Sequence, residues 1–300
     1  MIAIGHDILL IKTCHSYSAI NGARQLKTPC FFYDILSGAT KGKPMDQKNM
    51  PFSAKADAYA KGRPEYPAAA ISFLKQKGIG SGARIADVGA GTGLFSKALL
   101  ATGAEVFAVE PDDAMRAKAA AALSVFPLFH EIKGSAEQIP LPGGSMNFVS
   151  AAQAFHWFDK DSFKRECRRI LVPGGKIVLI WNVEVFGSDF FRDYGEVLKK
   201  HTYTAGQAKE EANYSIEDYF FKPAESFLDT FERAEFPNDL ALDRDTFVFK
   251  SLSSSAAPAA GDDRYAAFTA GLEQVFDRHQ KSGVLTYPNK TVLYFGEIAL

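Results

Sequence analysis

From about residue 68 onward, apolar and polar positions alternate between two periods, one suited to strands and one to helices. Short β-favouring runs occupy 83–88, 104–109, 128–133 and 146–151. Between them the spacing turns helical. Ala68 to Lys77 predicts a helix closed by Gly78 and Gly80. Leu94 to Leu100 predicts a second, and Ala114 to Leu123, with Asp113 as its cap, a third. Asp159 caps a helix running to Leu171 that carries Phe163, Cys167 and Ile170 on one face, so Cys167 reads as core. Lys176 to Trp181 is a continuous apolar run, as expected of a strand buried on both faces. Beyond it, Phe231 to Leu242 suits a sixth strand, and Arg244 to Ser251 a helix. Asp262 to Gln280 suits a helix with Tyr265, Phe268, Leu272, Val275 and Phe276 as its buried stripe, and Thr291 to Ile298 a last strand. Strands alternating with helices predict an α/β sheet wound on both faces.

Composition narrows the class. At 300 residues and 47% hydrophobic, the chain can bury one sizeable core and a cap over it. A net charge of −1 disfavours nucleic acid as the main partner. No apolar run approaches the ~20 residues that span a bilayer, so no membrane segment is expected. Cys14, Cys30 and Cys167 lack metal-like spacing and cannot all pair, which suits a reducing cytoplasmic setting and no metal. Residues 1–44 mix short apolar runs with Gly, Ser, Thr and Lys and end in a linker-like stretch, 37–44. They are expected to form a poorly ordered N-terminal extension, or to reflect a start codon upstream of the true one. The main domain is expected over 45–300, with a cap insertion at about 186–226.

The chemistry gathers at Ile85-Ala86-Asp87-Val88-Gly89-Ala90-Gly91-Thr92-Gly93. A strand feeds a loop with three glycines, and a helix follows directly. Without a Cβ in the way, such a backbone can approach a ligand closely, and helix N-terminal N–H groups face an anionic group. A dinucleotide fingerprint needs its third glycine at position 94, which is Leu94, so G-x-G-x-x-G fails and G-x-G-x-G stands. The next strand ends in Glu110-Pro111-Asp112. A carboxylate there can accept hydrogen bonds from both ribose hydroxyls of a nucleoside. NAD proteins place an acid similarly, so the glycine spacing, not Glu110, separates the two ligands.

The loop resembles motif I of the class I S-adenosylmethionine (SAM) dependent methyltransferases. Three further stretches are similar to a subgroup with a methyltransferase type 11 domain, the trans-aconitate methyltransferase-like proteins. They are Arg63-Pro64-Glu65-Tyr66-Pro67, His156-Trp157, and the turn in Arg168-Arg169-Ile170-Leu171-Val172-Pro173-Gly174-Gly175-Lys176. The resemblance implies a Rossmann-like, doubly wound, seven-stranded, mostly parallel sheet with an antiparallel last strand, helices on both faces and a helical cap. It also implies SAM as cofactor, met by Asp87, Gly89, Ala90, Gly91, Gly93, Glu110, Pro111, Ser135, Ala136, Gln153 and Arg63. Ser135 stands where the family commonly has an acid for the adenine amino group, so a hydroxyl or the Ala136 backbone would have to serve. Glu137 reads as a solvated turn residue.

Residues 52–67 fold over the cofactor in such proteins, which makes Tyr59 a catalytic candidate beside Arg63. The competing reading is an aromatic and proline segment docked on the sheet, the preferred one for Tyr66. His156 is either a general base or a histidine that ties down its loop. Trp157 and Asn182, just past strand ends, are candidates to meet the acceptor. Between 186 and 226, Phe190, Phe191, Tyr194, Tyr203, Tyr214, Tyr219, Phe220 and Phe221 are either walls of the acceptor site or an ordinary hydrophobic seam, the latter preferred for any single one. The expected function is methyl transfer to a small molecule, with a carboxylate among the candidate acceptors, by a monomer or homodimer. A SAM-binding protein without transfer activity and an NAD-dependent oxidoreductase are the alternatives. A nucleic-acid methyltransferase is disfavoured, since Gln153-Ala154-Phe155-His156 replaces an Asn-Pro-Pro-Tyr-like tetrad.

Overall fold

In the computed structural model, the described residues are 12–13, 64–201, 216–254 and 257–299. Tyr59, Arg63, Tyr203, Tyr214 and nearly all of 1–44 lie outside them.

Five parallel strands form most of the sheet: β2 (Arg84–Val88), β3 (Glu105–Val109), β4 (Phe129–Ile132), β5 (Met146–Ala152) and β6 (Leu171–Glu184). β7 (Thr230–Pro237) and β10 (Asn289–Glu297) complete it, with β10 antiparallel to both β6 and β7. The order is β7-β10-β6-β5-β2-β3-β4, and β1 (Lys12–Thr13) pairs antiparallel with the outer edge of β7. The expected seven-stranded, mostly parallel sheet with an antiparallel last strand is therefore present.

Both faces are covered, and the strands alternate between them. Along β6, Ile177, Leu179, Trp181 and Val183 face one apolar cluster, while Val178 and Ile180 face the other. Period-2 alternation with both sides apolar is what makes the run continuous in sequence. The first face is closed by α4 (Lys160–Ile170), through Phe163, Cys167 and Ile170, and by the aromatic residues of 217–227. The second is closed by α1 (Ala68–Gln76) and α2 (Leu94–Leu100). Asp112, not the predicted Asp113, caps α3 (Asp113–Leu123), its carboxylate accepting from Met115 N at 2.9 Å. Asp113 instead pairs with Arg116 and Lys133.

Two other expectations change. The strand read over 231–242 breaks at Asn238-Asp239: β7 stays in the main sheet, and β8 (Leu240–Leu242) leaves to pair with β9 (Leu285–Tyr287). The segment read as one cap divides as well. α5 (Asp189–His201) joins α7 (Arg244–Leu252) and α8 (Tyr265–His279) in a third cluster around Tyr194, Phe247, Phe268 and Tyr287. A π-helical turn (Glu217–Phe221) and α6 (Lys222–Phe227) press on the sheet beneath Trp181. Phe190, Phe191, Tyr194, Phe220 and Phe221 are buried in these clusters, as the seam reading preferred for any single one of them; Tyr219 is half-buried. Among the described residues no helix is long and apolar enough to cross a membrane, and no cluster of three or more His, Cys, Asp or Glu could hold a metal ion.

Candidate active site

β2 has β3 on one side and β5 on the other, so the strand order reverses there. In open α/β sheets the crevice outside the carboxyl ends at such a point receives the ligand. Four of the stretches singled out in the sequence leave the sheet at that end: 89–93 after β2, 110–112 after β3, 134–136 after β4 and 153–157 after β5; the 173–175 turn lies at the start of β6 instead.

The glycine loop is built from beneath. Gly89 N and Ala90 N donate to Val109 O at 2.9 and 3.2 Å, which ties the loop to β3. At Gly89, φ is +70°, and a Cβ there would lie 2.6 Å from Ala154 Cβ, so only glycine lets the β2 and β5 loops meet. Gly91, at φ +58°, differs: a Cβ there would meet nothing within 4 Å. The space beside Gly91 is open, as a loop that admits a ligand requires.

Glu110 stands across from it at the tip of β3, with only 8% of its surface exposed. Oε2 accepts from Gly91 N at 2.8 Å and Oε1 from Asp112 N at 2.9 Å. A carboxylate has about four lone-pair positions, so each oxygen keeps capacity for another donor. Burial pushes the Glu110 carboxyl up, against the two backbone N–H groups that pull it down. Pro111 is exposed on the rim beside it.

Asp87 was expected among the ligand contacts, and the structure gives it a different place. It is wholly buried, with one oxygen accepting from Ser96 Oγ at 2.6 Å and the other from Ser150 Oγ at 2.8 Å. It therefore pins β2 to the first turn of α2 and to β5, under the loop. Burial pushes its carboxyl up to about 6, the two serine hydrogen bonds working against that and Glu110 adding to it. Ser96 and Ser150 were not singled out in the sequence; an acid inside a buried strand was the available signal, because it needs partners.

After β4, Ser135 forms a tight bridge with Gln138, each N–H donating to the other's carbonyl at 3.3 Å. The Ala136 side chain is buried in the core, and Glu137, expected to be solvated, accepts from Asp159 N at 3.1 Å. After β5, Gln153 has φ +55°, the left-handed region that non-glycine residues seldom adopt. Its backbone N donates to Ile180 O and its Nε2 to Asn182 O, both at 2.9 Å. Such strain persists only where the surroundings enforce it, and it clusters at functional sites.

His156 lies in a short 3₁₀ turn, Phe155–Trp157, with its ring 4.8 Å from that of Phe220, 4.9 Å from Trp157 and 5.6 Å from Tyr219. Lys160 Nζ holds the turn from below through Phe158 O at 2.6 Å. Asn182, expected to meet an acceptor, is 8% exposed and spends its side chain on protein partners. Its Nδ2 donates to Pro64 O at 3.0 Å, and its Oδ1 accepts from Thr291 Oγ1 at 2.5 Å and Asn238 Nδ2 at 3.1 Å. Tyr66 docks edge-on against Phe95, ring centroids 4.8 Å apart, as the docking reading expected.

Comparison with known proteins agrees with this geometry. Residues 86–179 match the family described as a methyltransferase domain. An uncharacterized methyltransferase of Mycobacterium tuberculosis is 37% identical over 150 residues, 50% of this chain and 59% of that protein. An uncharacterized methyltransferase-like protein of Schizosaccharomyces pombe is 35% identical over 137 residues, 44% of this chain and 51% of that one. The matched region is thus a little over half the length of these relatives. Among solved structures, a protein described as a type II methyltransferase from Anaeromyxobacter dehalogenans superposes with a TM-score of 0.52 at 22% identity, covering 78% of this chain and 95% of that one. A protein described as a methyltransferase from an antibiotic biosynthesis pathway of Anabaena variabilis gives 0.54 at 21%, covering 79% and 99%. The sheet has the Rossmann-like methyltransferase fold, and the stretch of the chain that builds the crevice floor, 86–179, is similar in sequence to methyltransferase domains.

Proposed function

We propose that the protein transfers a methyl group from SAM to a small-molecule acceptor in the crevice at the β2 switch point. One observation carries this reading. A buried carboxylate, Glu110, is held by Gly91 N and Asp112 N beside the open space at Gly91, with capacity left on both oxygens. A nucleoside ribose supplies the two hydroxyls that such a carboxylate binds, and the Gly89–Gly93 loop lets the rest of the ligand lie close against the backbone.

SAM when bound supplies a methyl group on a sulfonium, already activated for displacement. What this chain's residues contribute is orientation. Gly91 and Glu110 receive the nucleoside, Ala90 and Gly93 complete the loop, and Ser135 and Ala136 are the candidates for the adenine side. Gln153, His156 and Trp157 face the acceptor end. Well-oriented reactants gain about 7–11 kcal/mol from proximity, so orientation can provide most of the acceleration. If the acceptor is a carboxylate, as the trans-aconitate methyltransferase-like resemblance suggests, no general base is needed, and His156 serves by fixing its turn among Trp157, Tyr219 and Phe220. For an acceptor that must lose a proton, His156 or Tyr59 is the candidate base.

Calorimetric titration with SAM, S-adenosylhomocysteine and NAD in parallel tests the reading. The first two are expected to bind and NAD is not. Binding of NAD alone would overturn it and return the protein to the oxidoreductase class. Gly91→Val is the control: a branched side chain enters the open space and adopts a disfavoured φ. It is expected to abolish SAM binding in a folded protein, and unchanged affinity would refute this placement of the ligand.

A further inference from the structure

Three segments far apart in sequence converge on one pair of amides. Asn182 lies near the end of β6, Asn238 in the turn after β7, and Thr291 near the start of β10, where it is directly opposite Asn182 in the ladder. Asn238 Nδ2 reaches Asn182 Oδ1 at 3.1 Å, Thr291 Oγ1 at 3.3 Å and Glu65 O at 2.9 Å. Asn182 Nδ2 takes the adjacent carbonyl, Pro64 O, at 3.0 Å. Two side-chain amides thus grip two consecutive backbone carbonyls. From there the chain passes directly to Tyr66, whose ring docks on Phe95 of the glycine-loop helix α2.

The same Asn182 presents its backbone carbonyl to Gln153 Nε2 at 2.9 Å. Gln153 is the residue held at φ +55° where β5 opens into the crevice. Segment 64–66 bridges the acceptor side of the sheet, at β6, β7 and β10, and the cofactor side, at α2. Asn182 joins that bridge to the strained residue.

We propose that Asn182 and Asn238, with Thr291, form a clamp that fixes segment 64–66 and Gln153 as one unit, and so act as positioning residues for the site. This rests on the methyl-transfer reading for what is positioned, but the clamp itself is testable without it. Both amides act as donors to the segment 64–66 carbonyls. A group of the same shape that cannot donate therefore releases the segment, and Thr291→Val, which adds no charge, separates loss of the network from the repulsion that a carboxylate at 238 would bring to Glu65 O and Asn182 Oδ1.

The test is hydrogen–deuterium exchange of the full chain, with and without S-adenosylhomocysteine, on wild type, Asn238→Asp and Thr291→Val. Asn238→Asp keeps the shape and removes the donor. Thr291→Val removes the hydroxyl that orients Asn182 and touches neither Pro64 nor Glu65. In both, exchange at 65–71 and 153–158 is expected to rise together by about three- to tenfold, the population change from losing one hydrogen bond, while β2 and β3 stay as in wild type. Asn238→Asp is also expected to weaken S-adenosylhomocysteine binding several-fold. Three results would overturn the clamp: a rise confined to 65–71, no rise in either variant, or Thr291→Val behaving as wild type. If wild type binds no S-adenosylhomocysteine while the two variants show the coupled rise, the methyl-transfer reading falls and the clamp stands.

Discussion

Asp87 and Glu110 are carboxylates in one crevice wall, both buried, and their partners assign them opposite duties. Asp87 has both oxygens taken by serine hydroxyls and supports the loop; Glu110 is held by the backbone N–H groups of Gly91 and Asp112, with capacity left on each oxygen. Burial raises both carboxyls. For Asp87, brought up to about 6 in the fold, the sign of the linkage is definite. An unfolded aspartate titrates near 4, so between about pH 4 and pH 6 the native state binds the extra proton, and stability falls as pH rises through that window. Above it the cost is constant. Asp113, Asp159 and Asp229 are lowered by their hydrogen-bond partners and act in the opposite sense, losing stability as pH falls. Comparison with Asp87→Asn isolates the Asp87 contribution. Wild type minus variant stability, from urea unfolding, is expected to decline across the window and level off at neutral pH. A difference independent of pH would show that Asp87 titrates normally. From the sequence, Asp87 read as a ligand contact because the glycine motif places an acid there. Whether that acid turns into the crevice or into the sheet depends on Ser150, 63 residues away.

At the scale of elements, caps and turns carry more weight than periodicity. The helix after Glu110 was legible as a helix, but its cap fell one residue earlier than expected. Asp112 rather than Asp113 takes the N-cap geometry and accepts from Met115 N. Asp112→Ala is expected to cost about 1 kcal/mol of stability, seen as a lower midpoint in chemical unfolding. It should change SAM affinity little, because the Asp112 backbone N–H that holds Glu110 remains. Loss of binding without loss of stability would mean the side chain itself meets the ligand. The aromatic positions of 186–226 were visible, and their role was not. A phenylalanine lining a pocket and one filling a seam have the same apolar period, and only the neighbour it packs on separates them. Phe220 met Trp181 and His156; Phe190 met Tyr194 and Tyr287. Likewise β7 and β8 read as one strand because apolar alternation continues across Asn238-Asp239. The break comes from a tertiary pairing that the alternation masked: Asn238 N donates to Asn289 O, and Asp239 Oδ1 accepts from Asn289 N, 50 residues away.

For the whole molecule, residues 1–44 are proposed to be an appendage to a domain that folds from 45 onward. The described part of that stretch, Lys12–Thr13, adds two residues to the outer edge of β7, opposite Arg233 and Glu232. Deleting 1–44 is expected to lower stability by no more than about 1 kcal/mol, on the order of one net hydrogen bond, and to leave SAM affinity unchanged. A large drop in melting temperature would show that the stretch packs on the core. The alternation of strands and helices and the glycine loop follow from information local in the chain, whereas the seven-stranded arrangement was implied only by the family resemblance and the switch point at β2 came from the strand order. Period-2 and period-3.6 patterns, φ-permissive glycines and an acid at a strand tip are each complete within a few residues, so the sequence by itself determined an α/β chain with a glycine loop and an acid at successive strand ends. The tertiary structure alone decided which polar groups were spent inside the protein. Asn182 meets Thr291 across 109 residues and Pro64 across 118. No local pattern encodes such pairings, because a side chain's hydrogen-bond capacity is assigned only when the sheet brings distant segments within about 3 Å.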